Sequence, residues 1–256
     1  MSELSPIPFE VENVIASRAR LGLIALATDH VIEYELNKIF HEIEGVQLYT
    51  TKVPMDPRVT SDTLKSMDNE LAQTAKTLLP GSKFSVVGYG CTSASVVIGE
   101  DKVFRAIETA GITSSITTPI TACLAALKTL RGRKIGLLTP YVDEVNSRIR
   151  RYFETYGYQI NKSVTFSEID DNRAGMITPK SISDAVLNQF SGEDIDFIFI
   201  SCTSLRAIDL IPMLENKLQC NVTTSNHALA WHMLRLSGIN DQYSNRGELF
   251  KKEMLS

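Results

Sequence analysis

The chain has 256 residues, 43% of them apolar and 22% charged, with a formal net charge of −4. That is enough chain for one large or two modest α/β-sized cores, and the balance is that of a water-soluble globular protein. Lys and Arg are scattered, which excludes the electrostatic footprint of a nucleic-acid binder, and no apolar run approaches the ~20 residues of a membrane helix. "MSELSPIPFEVEN" lacks a basic segment followed by an apolar one, so no signal peptide and a cytoplasmic location are expected. There thiols stay reduced, and four cysteines do not suggest a disulfide scaffold.

Short β-forming runs alternate with helical patterns along the whole chain. A strand is expected at 21–28, a helix at 31–43 and a strand at 46–53. A single amphipathic helix follows at 61–79, with Leu64, Met67, Leu71, Ala75 and Leu78 on one stripe. Next come a strand at 84–90, a helix at 101–111 closed by glycine, a strand at 112–119 and a helix at 120–130. The series then starts again: strand 134–140, helix 142–157, strand 158–166, helix 179–190, strand 195–201, helix 205–218 restarted at Pro212, strand 219–225 and helix 226–238. "RGRK" at 131–134 flanks a strand.

Strands alternating with helices imply βαβ units and parallel sheets. The first four units recur at an offset of about 110 residues, a domain-sized repeat rather than a solenoid period. The expectation is two pseudo-symmetric Rossmann-like α/β lobes, each with a four-stranded parallel sheet. The second lobe is expected to begin at 121.

The repeat carries chemistry with it. "GYGCTSAS" begins at Gly88 and "ISCTSLRA" at Ile200, so Cys91 and Cys202 each follow the third strand of a lobe. Ligands of parallel α/β sheets bind beyond the carboxyl ends of the strands. Asp29, Thr118 and Tyr141 stand at such ends too, as do residues 223–226. If the lobes face each other there, both thiols line one interlobe cleft. Thr92, Ser93, Thr203 and Ser204 are expected to open helical segments, whose free N–H groups suit a carboxylate and whose dipole lowers a nearby thiol's pKa. Two such halves suit transfer of a proton from one face of a carbon to the other, one thiolate as base and one thiol as acid. For a single triplet the plain alternative is a small core cysteine with N-cap hydroxyls; two triplets in register with the repeat point to function. Asp29 reads either as a cap of the helix at 31 or as a partner for a substrate ammonium. His30 and His227 are candidates for tuning the thiols; His41 and His232 are assigned nothing. Cys123 on a helix stripe and Cys220 in a strand read as core. Zinc spacings, a P-loop, a dinucleotide fingerprint and a G-x-S-x-G elbow are all lacking, so no metal and no cofactor are expected.

With "LLTPYVDEVN", "TTP" and "TTSNHAL", the two triplets make the chain resemble the aspartate/glutamate racemase superfamily. That superfamily includes glutamate, aspartate and hydantoin racemases, maleate cis-trans isomerase and arylmalonate decarboxylase. The resemblance runs nearly full length and is nearest to the maleate isomerase/arylmalonate decarboxylase-like branch, and within it to the racemase-like protein of ectoine-utilisation clusters. It implies two Rossmann-like lobes with the active site between them and catalysis by Cys91 and Cys202 without a cofactor. It also implies a substrate cradle of Thr92, Ser93, Thr203, Tyr141 and Asp29, a homo-oligomer, and a last helix packed on the first lobe, so that 1–120 plus 226–256 form one lobe and 121–225 the other. Arylmalonate decarboxylases have glycine in place of one cysteine, and many amino-acid racemases follow the second with Thr-His, where this chain has Thr203-Ser204. The leading expectation is a racemase or epimerase of a small amino acid or related carboxylate. The alternative is maleate-type cis-trans isomerisation through a covalent adduct on Cys91; a decarboxylase and a ligand-sensing module rank below both.

Overall fold

The computed structural model describes residues 4–12, 15–113 and 115–255. The first lobe runs β1 (Ala19–Leu26), α1 (Ile32–Phe40), β2 (Val46–Val53), α2 (Ser61–Ser66), α3 (Asp68–Ala75), β3 (Val86–Gly90), α4 (Thr92–Ile98), α5 (Glu100–Glu108), β4 (Ile116–Thr117) and α6 (Pro119–Leu130). The second runs β5 (Lys134–Thr139), α7 (Asp143–Thr155), β6 (Gln159–Thr165), α8 (Asp171–Ala174), α9 (Pro179–Phe190), β7 (Phe197–Ile200), a 3-10 turn (Ile208–Leu210), α10 (Ile211–Leu218) and β8 (Asn221–Thr224). α11 (Ser225–Leu236) follows, then two short 3-10 turns.

Each lobe is a four-stranded, all-parallel sheet, ordered β2-β1-β3-β4 in one and β6-β5-β7-β8 in the other. The same order twice is the pseudo-symmetry anticipated from the repeat. Strand composition explains the order. β1, β3, β5 and β7 are near-continuous apolar runs and occupy the centres, covered by helices on both faces. "QINKSVT" of β6 alternates and stays partly exposed at an edge. β3 contains two glycines because α1 and α11 lie directly on its backbone. A Cβ at Gly90 would come within 2.5 Å of Ile32 Cδ1, and one at Gly88 within 3.0 Å of Met233 Sδ. α11 follows β8 but packs on α6, α1 and β3, so the last helix does return to the first lobe. α6 packs on α11, α4 and β3.

Local departures have local causes. The helix expected at 61–79 breaks at Met67 into α2 and α3, although all five stripe residues are buried as anticipated. The strand expected at 112–119 pairs only over β4. Cys220 is half-buried just before β8 rather than inside a strand, whereas Cys123 is fully buried in α6. Arg131 of "RGRK" closes α6 in the left-handed region, at φ 56°. Among the described residues no helix is long and apolar enough to cross a membrane.

Candidate active site

β3 ends at Gly90 and the chain turns at once into α4, so Cys91 stands at the helix N-cap with φ −145°. Its Sγ accepts from Ala94 N at 3.3 Å and lies 3.6 Å from Ser93 Oγ. This is the helix opening expected of the first triplet. The second triplet departs from expectation. Thr203 and Ser204 lie in a turn, and helix resumes only at Ile208. The turn's amides are satisfied from the opposite lobe: Glu35 Oε1, on α1, accepts from Ala207 N at 2.7 Å and Ile208 N at 3.0 Å. Within the turn, Ser204 N donates to Cys202 Sγ at 3.4 Å.

The two triplets are joined. Ser225, opening α11, accepts from Cys202 N at 3.0 Å and shares a 2.7 Å hydrogen bond with Thr92 Oγ1. Thr203 Oγ1 donates to Gly90 O at 3.3 Å, across the lobe interface. The Tyr141 phenol, just past β5, lies within hydrogen-bonding reach of Cys202 and Ser93 and within electrostatic range of Cys91. Cys91, Cys202 and Tyr141 are each only 3% exposed, and Thr92, Ser93, Thr203 and Ser204 are buried with them. The cleft expected between the lobes is thus closed, with hydroxyl side chains packed around the two thiols.

Two carboxylates border it. Asp29 Oδ1 accepts from Val31 N at 2.7 Å and Ile32 N at 2.8 Å, which realises the capping reading. Its Oδ2 is buried and makes no well-formed hydrogen bond, with the Thr203 hydroxyl close to the carboxylate. Asp171, on α8, went unnoticed in the sequence; it accepts from Thr28 Oγ1 at 2.6 Å and Ser204 Oγ at 2.9 Å. Loss of water raises both: Asp29 is pushed up to about 6, and Asp171 also lies above the usual carboxylate range. Glu35, fully buried and pushed up to about 7 by burial, is the second residue missed. Its signal was present, a glutamate on the apolar stripe of α1 between Ile32 and Ile39. Asp171 had none, because nothing local in "EIDDNRAG" marks its destination.

The lowered thiol pKa expected from the helix start does not hold in this closed chamber. Burial pushes Cys91 up to about 12, opposed by the Ala94 N–H and the Ser93 hydroxyl, and Asp171 and Asp29 add to the rise. Cys202 is raised as well, chiefly by burial and then by Asp171. One turn of helix dipole is smaller than the cost of removing a thiolate from water.

Neither candidate tuning histidine reaches a thiol. His30 is exposed and bonds Asn172 Oδ1 at 3.0 Å. His227 is buried between Thr223 Oγ1 at 2.9 Å and Arg246 O at 2.7 Å, stacks on Phe250, and is driven down to about 4 by burial. Both rings serve the fold. Thr118 caps α6, accepting from Thr121 N at 3.2 Å, and is committed there. Among the described residues no cluster of three His, Cys, Asp or Glu is arranged to hold a metal ion.

Comparison with known proteins agrees with this architecture. Residues 55–250 match the family described as arylmalonate decarboxylase. A maleate isomerase of Geobacillus stearothermophilus is 20% identical over 248 residues, 92% of this chain and 98% of that protein. An arylmalonate decarboxylase of Bordetella bronchiseptica is 28% identical over 123 residues, 48% of this chain and 51% of that one. Among solved structures, a Nocardia farcinica maleate cis-trans isomerase variant with a covalently bound succinylcysteine intermediate superposes with a TM-score of 0.83. It is 19% identical, and the match covers 91% of this chain and 98% of that one.

Proposed function

The chain belongs to the arylmalonate decarboxylase family, and on that footing we propose that it is an isomerase that flips the geometry of a small unsaturated carboxylate through a transient cysteine adduct. The observation that carries this is the pairing of two buried thiols, from corresponding strand ends, on one frame. Ser225 Oγ ties Thr92 to the Cys202 amide, and Tyr141 stands beside both sulfurs. The succinylcysteine seen in a relative of the same fold supports an adduct over simple proton transfer. It also moves the leading expectation, racemisation, to second place.

Cys91 is the nucleophile in this reading: burial raises both thiols, and at Cys91 the Ala94 N–H and the Ser93 hydroxyl oppose that rise by favouring the thiolate. The thiolate adds to one carbon of the double bond. The S–C bond forms as the π bond breaks, and the electron pair moves to the neighbouring carbon and its carboxylate. Cys202 gives its proton to that carbon, and the former double bond, now single, rotates. Return of a proton to Cys202 and departure of the Cys91 thiolate regenerate the double bond in the other geometry. Nothing is oxidised or reduced, and the thiols end as they began. Ser93, Thr203 and Tyr141 donate to the substrate carboxylate, on which charge accumulates.

A trapping experiment tests the scheme. With maleate and its monoamide maleamate as probes, the Cys202→Ser variant should accumulate a Cys91 adduct heavier by the substrate's mass. Neither isomerisation nor an adduct with either probe sinks the reading. Racemisation of an amino acid stays as the second reading because Asp29 Oδ2 offers a lone pair to an ammonium. It predicts solvent deuterium at the α-carbon, with Cys91→Ala and Cys202→Ala each abolishing exchange.

A further inference from the structure

Cys202 is fixed from its flanks rather than by a helix of its own. On one side Ser225 Oγ accepts from Cys202 N at 3.0 Å. On the other, Asn226 Nδ2 donates to Thr203 O at 2.8 Å. Both holders are the first residues of α11, which packs on the first lobe. Asn226 Nδ2 also donates to Glu35 Oε2, on α1, at 2.8 Å. Glu35 Oε1 takes the amides of Ala207 and Ile208 at the far end of the same turn. One carboxylate of the opposite lobe thus reaches both ends of the turn that follows the second thiol.

The Asn226 amide can face either way, and its neighbours decide which. Asn226 is fully buried, and its Oδ1 makes no hydrogen bond among the described residues. The orientation therefore rests on Glu35 Oε2 and Thr203 O both accepting from the nitrogen. A backbone carbonyl only accepts, whereas a carboxyl group is acceptor-only while it is charged. Among the described residues three N–H donors and no acceptor are aimed at Glu35. That pattern fits the ionised form. A protonated Glu35 carries a donor of its own, for which the unused Asn226 Oδ1 becomes the acceptor once the amide flips. The flip satisfies that pair and releases Thr203 O.

Burial sets where Glu35 changes form, pushing it up to about 7. Asp209 of the 3-10 turn adds to the rise and is itself bound to Lys38 of α1. Arg206 lines a small cavity beside Glu35 and Tyr34. On α11, His227 turns to Thr223 and Arg246 O and is driven down to about 4. Arg246 is held by Lys38 O and Glu42. Asp29 and Asp171 reach the turn elsewhere, at the Thr203 and Ser204 hydroxyls.

We propose that ionised Glu35 is the positioning residue of the second thiol: through the Asn226 amide it holds the Thr203 carbonyl, and so keeps Cys202 where it can deliver a proton. Loss of that charge lets the amide flip and slackens the turn. The effect on turnover rests on the isomerase reading; the coupling between Glu35 and the turn does not.

Amide NMR on the full chain reads the coupling without turnover. In the wild type the Ala207 and Ile208 amides, the Asn226 side-chain amide and the backbone amides of Cys202 and Thr203 should shift together, with one midpoint near pH 7. Glu35→Gln should remove that midpoint from all of them, while any movement due to Asp29 and Asp171 stays. Asn226→Ala separates transmission from capping: Ala207 and Ile208 should still titrate, and Cys202 and Thr203 should not follow them. Cys202 and Thr203 signals that ignore the midpoint in the wild type, or that keep it in Asn226→Ala, overturn the proposal. The wild-type titration decides by itself should a variant fail to fold. With maleate and maleamate as substrates, kcat of Glu35→Gln should fall by about tenfold or more, toward the ~10²-fold that a misplacement of about 1 Å costs, with KM little changed. An undiminished kcat also overturns the proposal. Absence of turnover in the wild type beside the shared midpoint sinks the isomerase reading and leaves this one standing.

Discussion

The two lobes share strand order, strand composition and a Cys-Thr-Ser triplet at the end of the third strand, yet they hold their cysteines differently. Cys91 is served by its own lobe. "SASVVIG" continues from its triplet as helix, and the thiol receives an amide from the turn it caps. Cys202 is served from outside its own strand–turn unit: by Ser225 of α11, by Glu35 of α1 acting on the turn, and by Ser204 in the grip of Asp171. "LRAIDLIP" puts proline at position 212, at the start of α10, and the chain crosses an irregular turn before it gets there. In the proposed isomerisation these unequal surroundings go with unequal roles, Cys91 attacking and Cys202 delivering a proton.

Removing the sulfurs breaks this comparison hardest. Cys202→Ala should lower turnover by about 10²–10⁴-fold, the usual worth of a positioned proton donor. Cys91→Ala should leave no adduct at all, read by intact-mass spectrometry after quenching. Equal residual rates in the two variants would mean that the thiols do not differ in role.

Glu35→Ala comes next, because it strips the turn's amides of their acceptor. Two buried N–H groups and the Asn226 amide lose a charged partner, at a cost of about 3 kcal/mol or more by urea denaturation. Glu35→Gln should cost less. The same residue has a pH signature. Its folded pKa is raised from the ordinary 4.5 to about 7, so the folded state holds its proton more tightly than the unfolded chain. The stability it contributes is therefore full below about pH 4.5 and falls as pH rises through 7, by about 3 kcal/mol. Asp29, raised from 3.8 to about 6, acts in the same direction over a lower window. The urea midpoint of Glu35→Gln should fall less between pH 4.5 and 7.5 than that of the wild type; an unchanged fall would show that Glu35 is not the titrating group.

Gly90→Ala tests the first lobe's side of the comparison. The added methyl collides with Ile32, and about 1–3 kcal/mol should be lost in thermal or chemical melts. The smallest effect is expected from Ser225→Ala. It leaves the Cys202 amide without its acceptor and frees the Thr92 hydroxyl, worth about 1 kcal/mol of stability. Its diagnostic readout is a loss of turnover larger than the loss of stability.

Much of this architecture was legible before any coordinates. Alternating apolar runs and amphipathic stretches follow from side-chain period, and period is local. The doubled triplet announced the repeat and set both cysteines at carboxyl ends of strands, where Tyr141 stands too. Where local logic failed, a distant group had taken over. The second triplet reads as a helix start like the first, but Glu35 competes for its amides from a different lobe. A helix start near a thiol reads as a pKa-lowering device, but closure of the chamber outweighs one turn of dipole. His30 and His227 stand at strand ends, as tuning residues would, yet Asn172 and the Arg246 carbonyl claim their rings.

By itself the sequence determined what each segment becomes and which residues stand at strand ends, because backbone period and strand burial are written in neighbouring residues. Only the tertiary structure decided how the two halves close on each other, which buried carboxylates border the thiols, and how strongly those groups hold their protons. Asp171 reaches Thr28, the neighbour of Asp29, across 143 residues of chain. Exclusion of water, which shifts every titrating group in the chamber, exists only once both lobes are in place.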